Sequence, residues 1–179
     1  LVLFGSVAAY VIARRTLKWT TITYYLVLIA IILPAQLGTV PLYIGARSIG
    51  LTGNAFGMIV LWIGILMPLS VFLYASFFRG LSTEYEEAAV IDGASPVQAF
   101  FRVVLPLMAP ALASFGIFQF LWVWNDLLVA ITMLGGSPDR APLTMELNQI
   151  SGTLGGRWYL LSAAAFISMA LPVIVFLAL

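Results

Sequence analysis

No cysteine and no histidine occur in the 179 residues. Their absence excludes disulfides, Cys/His metal sites and nucleophilic centres built on a Ser-His-Asp or Cys-His arrangement. Lysine is nearly missing as well: Lys18, in Thr-Leu-Lys-Trp, is the one copy, and no glycine-rich loop precedes it. A phosphate-cradling nucleotide loop is therefore excluded, and any ATP chemistry must belong to a partner. Charge of either sign is scarce, with eight basic and seven acidic side chains making up 8% of the chain and a formal net charge of +1. The basic residues are scattered rather than clustered, which argues against a nucleic-acid partner.

What remains is apolar. Hydrophobic residues are 63% of the chain and the mean hydropathy is +1.09, whereas a soluble domain carries about 25% charged residues. The composition predicts an all-α integral membrane protein, a polytopic transmembrane helix bundle of about five spans, each about 20 residues long. Residues 1–13 are too short for a hydrocarbon core of about 30 Å and read as the second half of a spanning helix. Further spans are predicted over about 22–43, interrupted by Pro34 and Pro41, then over 55–78, 106–134 and 159–179. The chain starts and stops inside hydrophobic runs and reads as part of a longer protein, with residues 1–179 forming one transmembrane domain. Basic residues in short loops mark the cytoplasmic side. Arg14, Arg15, Lys18, Arg79 and Arg102 are expected inside; Arg47, Arg140 and Arg157 are expected outside, with 47–54 and 135–157 as outer segments. Gln36, within the second span, suits a helix–helix hydrogen bond better than a ligand contact.

One polar stretch, 83–105, interrupts these runs and reads as helix, turn, helix. Thr83 with Glu86 three residues on has the form of a capping box, and Glu84, Glu86 and Glu87 place negative charge at the positive end of the first helix. Gly93 suits a left-handed helix end. Ser95, Pro96 and Gln98 then form a second start signal. Val97, Phe100, Phe101, Val104 and Leu105 recur as one apolar stripe, and Pro106 is expected to turn the chain into the next span. Tyr85, Ala88, Ala89 and Asp92 share a face on which the two alanines allow close approach, so the first helix reads as a docking surface. A helix resting on lipid usually carries Lys or Arg on its polar face. Here three glutamates and an aspartate stand against Arg102 alone, which favours a protein groove.

A second group, Gln119, Trp122, Trp124, Asn125 and Asp126, lies inside the predicted fourth span. An acid within a span is costly and faces a bundle interior or a wet cavity, although a broken helix places Asp126 nearer the outer interface. Two tryptophans beside amide and carboxylate groups fit a sugar site, with aromatic faces for the ring and polar groups for the hydroxyls. The same tryptophans fit an interfacial belt.

The spaced pattern Glu87-Ala88-Ala89, Asp92-Gly93-Ala94, Phe101, Val104-Leu105-Pro106 and Pro110 resembles the EAA loop in membrane-spanning subunits of bacterial ATP-binding-cassette importers. The run from Ile117 to Leu128, then Pro142-Leu143-Thr144 and Trp158, resembles the carbohydrate-uptake branch of that family, the maltose-type and glycerol-phosphate-type inner-membrane subunits. So do Ala9 to Arg14, Leu33-Pro34 and Pro41-Leu42-Tyr43.

The resemblance implies a type I importer permease in the bacterial cytoplasmic (inner) membrane. It implies that 83–105 is the coupling hairpin, with Glu87, Ala88, Ala89, Asp92, Gly93 and Ala94 meeting an ATPase dimer. It also implies a second permease subunit, identical or homologous, and an extracytoplasmic substrate-binding protein. Gln119, Trp122, Asn125 and Asp126 are the expected substrate path. No cofactor is expected in this chain, since ATP and Mg²⁺ would sit on the ATPase.

Two other classes compete. A secondary transporter or channel would work without an ATPase, but it often shows inverted repeats or an ion relay; no internal repeat is visible, and Asp126 is the one acid placed inside a span. A membrane-embedded enzyme is disfavoured because no clustered His, Cys or paired acids supply an acid–base or metal site.

Overall fold

The computed structural model describes residues 1–135, 141–153 and 158–178, except the side chains of residues 35, 36, 150, 152 and 153. Asp139, Arg140, Arg157 and the side chain of Gln36 therefore lie outside the described residues. The regular elements are helices: α1 (Val2–Arg14), α2 (Lys18–Ile32), α3 (Ala35–Ser48), α4 (Ala55–Gly80), α5 (Glu84–Ile91), α6 (Pro96–Ala99), α7 (Leu105–Leu107), α8 (Ala109–Trp124), α9 (Leu128–Leu134), α10 (Leu143–Thr153) and α11 (Trp158–Ala178). A wide π turn over Phe100–Val104 joins α6 to α7.

Among the described residues, α4 and α11 are long and apolar enough to cross a membrane unaided, and the number rises to four when broken helix pairs are counted as single spans. The short helix α1 matches the expected half-span. No residue of α2 or α11 is buried, so their apolar side chains need lipid or protein around them rather than water.

The prolines behave unequally. Leu33, held at ψ 125° before Pro34, ends α2, as the steric clash before a proline requires. Pro41, Pro68 and Pro172 lie inside helices without ending them, so the expected interruption at Pro41 does not occur. Nor does Pro106 make the turn: the helix runs on to Leu107, and the chain bends by 71° at the following residue. The wide turn before Pro106 makes room for its ring, which would otherwise press on a carbonyl one turn back. The bend instead comes just ahead of Pro110, which is tolerated in the first turn of α8 because no N–H is needed there. Arg47, expected in a loop, ends α3, and the turn after it uses Gly50 and Gly53 at φ 72° and 74°.

Residue contacts divide the chain into two compact units. The first, Leu1–Leu33 with Leu66–Gly116, is built on an aromatic core. Tyr74, Phe78, Phe100, Val104, Met108 and Phe115 are buried there together with Ala9 and Ile12 of α1. The rings of Tyr74 and Phe115 meet edge to face at 5.4 Å. Gly5 lets α1 approach α4: a Cβ there would stand 3.1 Å from that of Ser70. Arg79 closes α4 with its guanidinium 4.3 Å from the centre of the Tyr24 ring, a cation–π contact. All five basic residues expected on the cytoplasmic side fall in this unit together with the hairpin.

In the second unit, Pro34–Ile65 with Ile117–Leu179, the buried residues include Val129, Ala130, Met133 and Leu134 of α9 and Met145 of α10. The turn before α4 is tied to the end of α9 by the Gly53 N–H, which donates to the Met133 carbonyl at 2.7 Å.

Hydroxyls inside the helices mostly turn back on their own backbone. Ser6 donates to the Leu3 carbonyl at 2.9 Å, Ser70 to Leu66 at 2.7 Å, Ser76 to Phe72 at 3.0 Å and Ser114 to Pro110 at 2.8 Å.

Candidate functional site

The hairpin is docked by one face and open on the other. Helix α5 carries Glu84, Glu86 and Glu87 in its first turn, where the helix dipole favours them. It ends on Gly93 at φ 87°. The Gly93 N–H donates to the Val90 carbonyl at 3.0 Å and the Ala94 N–H reaches back to Ala89 at 2.9 Å, the paired bonds of a Schellman ending. The second helix then starts as expected: Ser95 Oγ accepts from the Gln98 N–H at 3.3 Å, and Gln98 Oε1 accepts from the Ser95 N–H at 2.9 Å.

The first capping box does not form. The Thr83 hydroxyl makes no cap bond, and Ser82 Oγ instead accepts from the Glu84 N–H at 3.3 Å. The Glu86 carboxylate is taken by a stronger set of donors from α1. Arg14 Nε lies 2.7 Å from Oε1, Tyr10 Oη donates to Oε2 at 2.6 Å, and Arg14 Nη2 donates to the Leu81 carbonyl at 2.9 Å. Charge-assisted bonds of this kind outweigh a neutral backbone cap.

The apolar stripe also differs from expectation. Ala99, Phe100 and Val104 are buried, while Val97 and Phe101 are exposed; over Phe100–Val104 the π turn adds a residue to the repeat. Ala89 is buried as well, so of the four residues expected to share a docking face Tyr85, Ala88 and Asp92 are exposed and Ala89 is not. Glu87, Ala88, Asp92 and Gly93 are exposed, Ala94 is half-buried, and Ile91 is 85% exposed. The open face thus alternates acids with large apolar side chains: Tyr85, Val90, Ile91, Val97 and Phe101.

The second candidate group sits where α8 gives way to α9. The expected continuous span breaks over 125–127, and the reason is local chemistry. Asp126 Oδ1 accepts from the Val129 N–H at 3.2 Å and Oδ2 from the Ala130 N–H at 3.0 Å, so the carboxylate ties down the first turn of α9 from the residue before its N-cap, Leu127. Asn125 Nδ2 donates to the Leu121 carbonyl at 2.8 Å, and Thr144 Oγ1 donates to the Asp126 carbonyl at 2.6 Å. The polar signal before an apolar run is a helix-start signature, and it lay hidden inside a stretch long enough to read as one span.

Trp122, Asn125 and Asp126 line an open hollow of about 480 Å³ with Phe118, Leu121 and Leu128. Gln119 is buried on α8 and does not line it. Trp124 is used for packing: its Nε1 donates to the Ser168 carbonyl of α11 at 3.2 Å and its ring stacks on Phe120. The lining of the hollow combines the Trp122 indole with the Asn125 amide and the Asp126 carboxylate, the last already engaged by the α9 amides. That arrangement suits a small polyhydroxylated ligand.

Known proteins of similar sequence include the osmoprotective compounds uptake permease protein GgtD of Synechocystis, 40% identical over 96% of this chain and 58% of its own. The alpha-glucoside transport system permease protein AglG of Rhizobium meliloti is 39% identical over 99% of this chain and 48% of its own. The melibiose/raffinose/stachyose import permease protein MelC of Bacillus subtilis is 36% identical over 100% of this chain and 65% of its own. The chain thus spans about half to two thirds of the length of these relatives. Its fold is that of a chain in the crystal structure of a bacterial ABC transporter involved in the import of the acidic polysaccharide alginate. The TM-score is 0.71 at 23% identity, covering 97% of this chain and 68% of that one. A family model described as the binding-protein-dependent transport system inner membrane component matches residues 2–179. The family-level resemblance read from the EAA-like pattern is borne out by that match, and this chain belongs to the family of binding-protein-dependent transport system inner membrane components.

Proposed function

We propose that this chain is part of the permease subunit of a bacterial ATP-binding-cassette importer for a sugar or sugar derivative. In this reading its two compact units form one transmembrane domain. Its hairpin rests in a cleft of a separate ATPase dimer that binds ATP and Mg²⁺. A second permease subunit and an extracytoplasmic binding protein complete the importer in the bacterial cytoplasmic membrane.

The observation that carries the reading is the open face of the hairpin. Glu87 and Asp92 stand beside Val90, Ile91, Val97 and Phe101, all exposed. Lipid would penalise the acids and water would penalise the apolar side chains. A protein groove with an apolar floor and basic edges satisfies both. The inner face of the same hairpin is locked into the aromatic core of the first unit, so a push on the groove side is delivered to the helices rather than absorbed.

Closure of the ATPases would move the hairpin and swing the spans between inward-open and outward-open states, a rigid-body transition. Glu87, Ala88, Ala89, Asp92, Gly93 and Ala94 form the coupling segment: the exposed ones touch the partner, while Ala89 and Gly93 set the shape of the helix end. Trp122, Asn125 and Asp126, which line the hollow, and Gln119, buried on α8, are this chain's proposed share of the substrate path. The sugar class is supported by AglG and MelC, whose names give alpha-glucosides and melibiose, raffinose and stachyose.

These 179 residues hold no cysteine, so a cysteine introduced here reports on one position once any elsewhere in the full-length protein are replaced. Ile91→Cys in the full-length protein, carrying a cleavable crosslinker in native membranes, is expected to capture a nucleotide-binding ATPase identified by mass spectrometry. Continued substrate uptake with no ATPase captured would overturn the reading in favour of a secondary transporter.

A further inference from the structure

We propose that Tyr10, Arg14 and Glu86 are a clasp that makes the first hairpin helix and the cytoplasmic ends of α1 and α4 move as one body. The role in coupling rests on the reading of the hairpin given above; the clasp itself rests on geometry.

Arg14 lies in the last turn of α1 and Glu86 in the first turn of α5. Each therefore carries the charge that its own helix end favours, and the two ends are drawn together. The side chains are 13% and 16% exposed, so water and salt screen the pair weakly. Both carboxylate oxygens are used, Oε1 by Arg14 Nε at 2.7 Å and Oε2 by Tyr10 Oη at 2.6 Å. The guanidinium reaches a third element through Nη2, which donates to the Leu81 carbonyl at 2.9 Å. Only the fork of an arginine makes two such directed contacts at once.

Tyr10 stands one turn before Arg14 on the same face of α1. Its ring lies 5.6 Å from that of Phe78, near the end of α4, and 4.7 Å from that of Phe100, in the second arm of the hairpin. One residue of α1 thus holds both arms of the hairpin and the helix that leads into them.

The three acids of α5 divide accordingly. Glu84 and Glu87 are exposed, and Glu86 alone faces inward. Residues 81–83 are the only covalent link between α4 and α5, and Leu81 is the residue that Arg14 pins. Without the clasp, α5 could tilt about that link while the spans stayed still. Tyr10 and Arg14 are positioning residues, acting on the partner through Glu86 and the helix that bears it.

The test uses the complete transporter in proteoliposomes, reading substrate molecules moved per ATP hydrolysed and the amount of ATPase that co-purifies. R14Q and E86Q are expected to keep the ATPase while transport per ATP falls about tenfold, within the range that coupling between sites commonly spans. The exchanged pair, Arg14→Glu with Glu86→Arg, restores the charge pair but not the Leu81 contact or the Tyr10 bond, and is expected to recover only part of that loss. Tyr10→Phe keeps the ring packing and removes one hydrogen bond, so a drop of about threefold is expected; this variant reads the clasp even where the charge variants fail to fold. An unchanged ratio in Y10F, R14Q and E86Q overturns the clasp while leaving the coupling hairpin intact. Absence of any ATPase from the unsubstituted complex overturns the coupling reading and the proposal together.

Discussion

Replacing Gly93 asks whether the hairpin works through one backbone conformation. The residue stands at φ 87°, and a Cβ added there would meet nothing within 4 Å. The cost of substitution therefore lies in the backbone alone. An L-residue in left-handed geometry costs about 1–2 kcal/mol, asparagine being tolerated best and a β-branched residue worst. The alternative is for the chain to relax, which gives up the bonds from Gly93 to Val90 and from Ala94 to Ala89, each contributing about 1 kcal/mol. Neither route is cheaper than about 1 kcal/mol, and that amount changes a local opening equilibrium by about fivefold, rising to about thirtyfold for 2 kcal/mol. Hydrogen exchange of the peptide containing Gly93 and Ala94 is expected to accelerate in the order Asn, Ala, Val, with ATP-driven uptake falling in the same order and the amount of protein in the membrane unchanged. A Gly93→Val protein that exchanges and transports like the parent would refute the argument, as would a Gly93→Asn protein damaged equally.

Asp126→Asn keeps one of the two acceptors for the α9 amides and is expected to stay folded while uptake falls, as a carboxylate on the proposed substrate path requires, whereas Asp126→Ala also loses about 1 kcal/mol of helix start; an Asn variant that is folded with uptake unchanged would leave Asp126 to the helix start alone. Trp122→Ala, in the lining of the hollow, is expected under the proposed function to raise the KM for uptake about fivefold, the scale of one lost aromatic contact, with ATPase co-purification unaltered; an unchanged KM removes the hollow from the path. Ser95→Ala should loosen the second hairpin helix by about 1 kcal/mol, seen as faster amide exchange at Gln98. Gly57→Ala would drive a Cβ into the Leu51 carbonyl oxygen and is expected to cost about 1–3 kcal/mol, lowering the melting temperature in detergent; an unshifted melt would refute the close approach.

The features legible in the sequence were those decided within a few residues. Gly93 and the Ser95–Gln98 box needed only their neighbours, and both formed. Thr83 and Glu86 satisfied the same local rule, yet Glu86 bonds Arg14 and Tyr10 at sequence separations of 72 and 76. A distant charge won over a nearby backbone amide, and nothing local to Thr83 announces that. The positions of Tyr10 and Arg14, four apart just before a loop, were visible, but their common target was not. Pro106 marked a disturbance correctly and its site wrongly, because the wide turn took up the ring and the bend moved to Met108. The break at Asn125 was masked by apolar residues on either side: hydropathy integrates over a window longer than the few polar atoms that cap α9. Ala88 and Ala89 differ by one position, and only the packing of α5 against the core decides which of them is buried and which is exposed.

The serines that turn back on their own helices bear on how such a bundle can rearrange. A bond from Ser76 to Phe72, or from Ser114 to Pro110, joins two points of one rigid rod and travels with it. Sliding or rotation of that helix past a neighbour does not stretch the bond, so no desolvated hydroxyl is released along the way. These small polar residues thus lend their helices freedom of passage, leaving side-chain volume and the few bonds that do cross between helices, such as Trp124 to Ser168, to resist rearrangement.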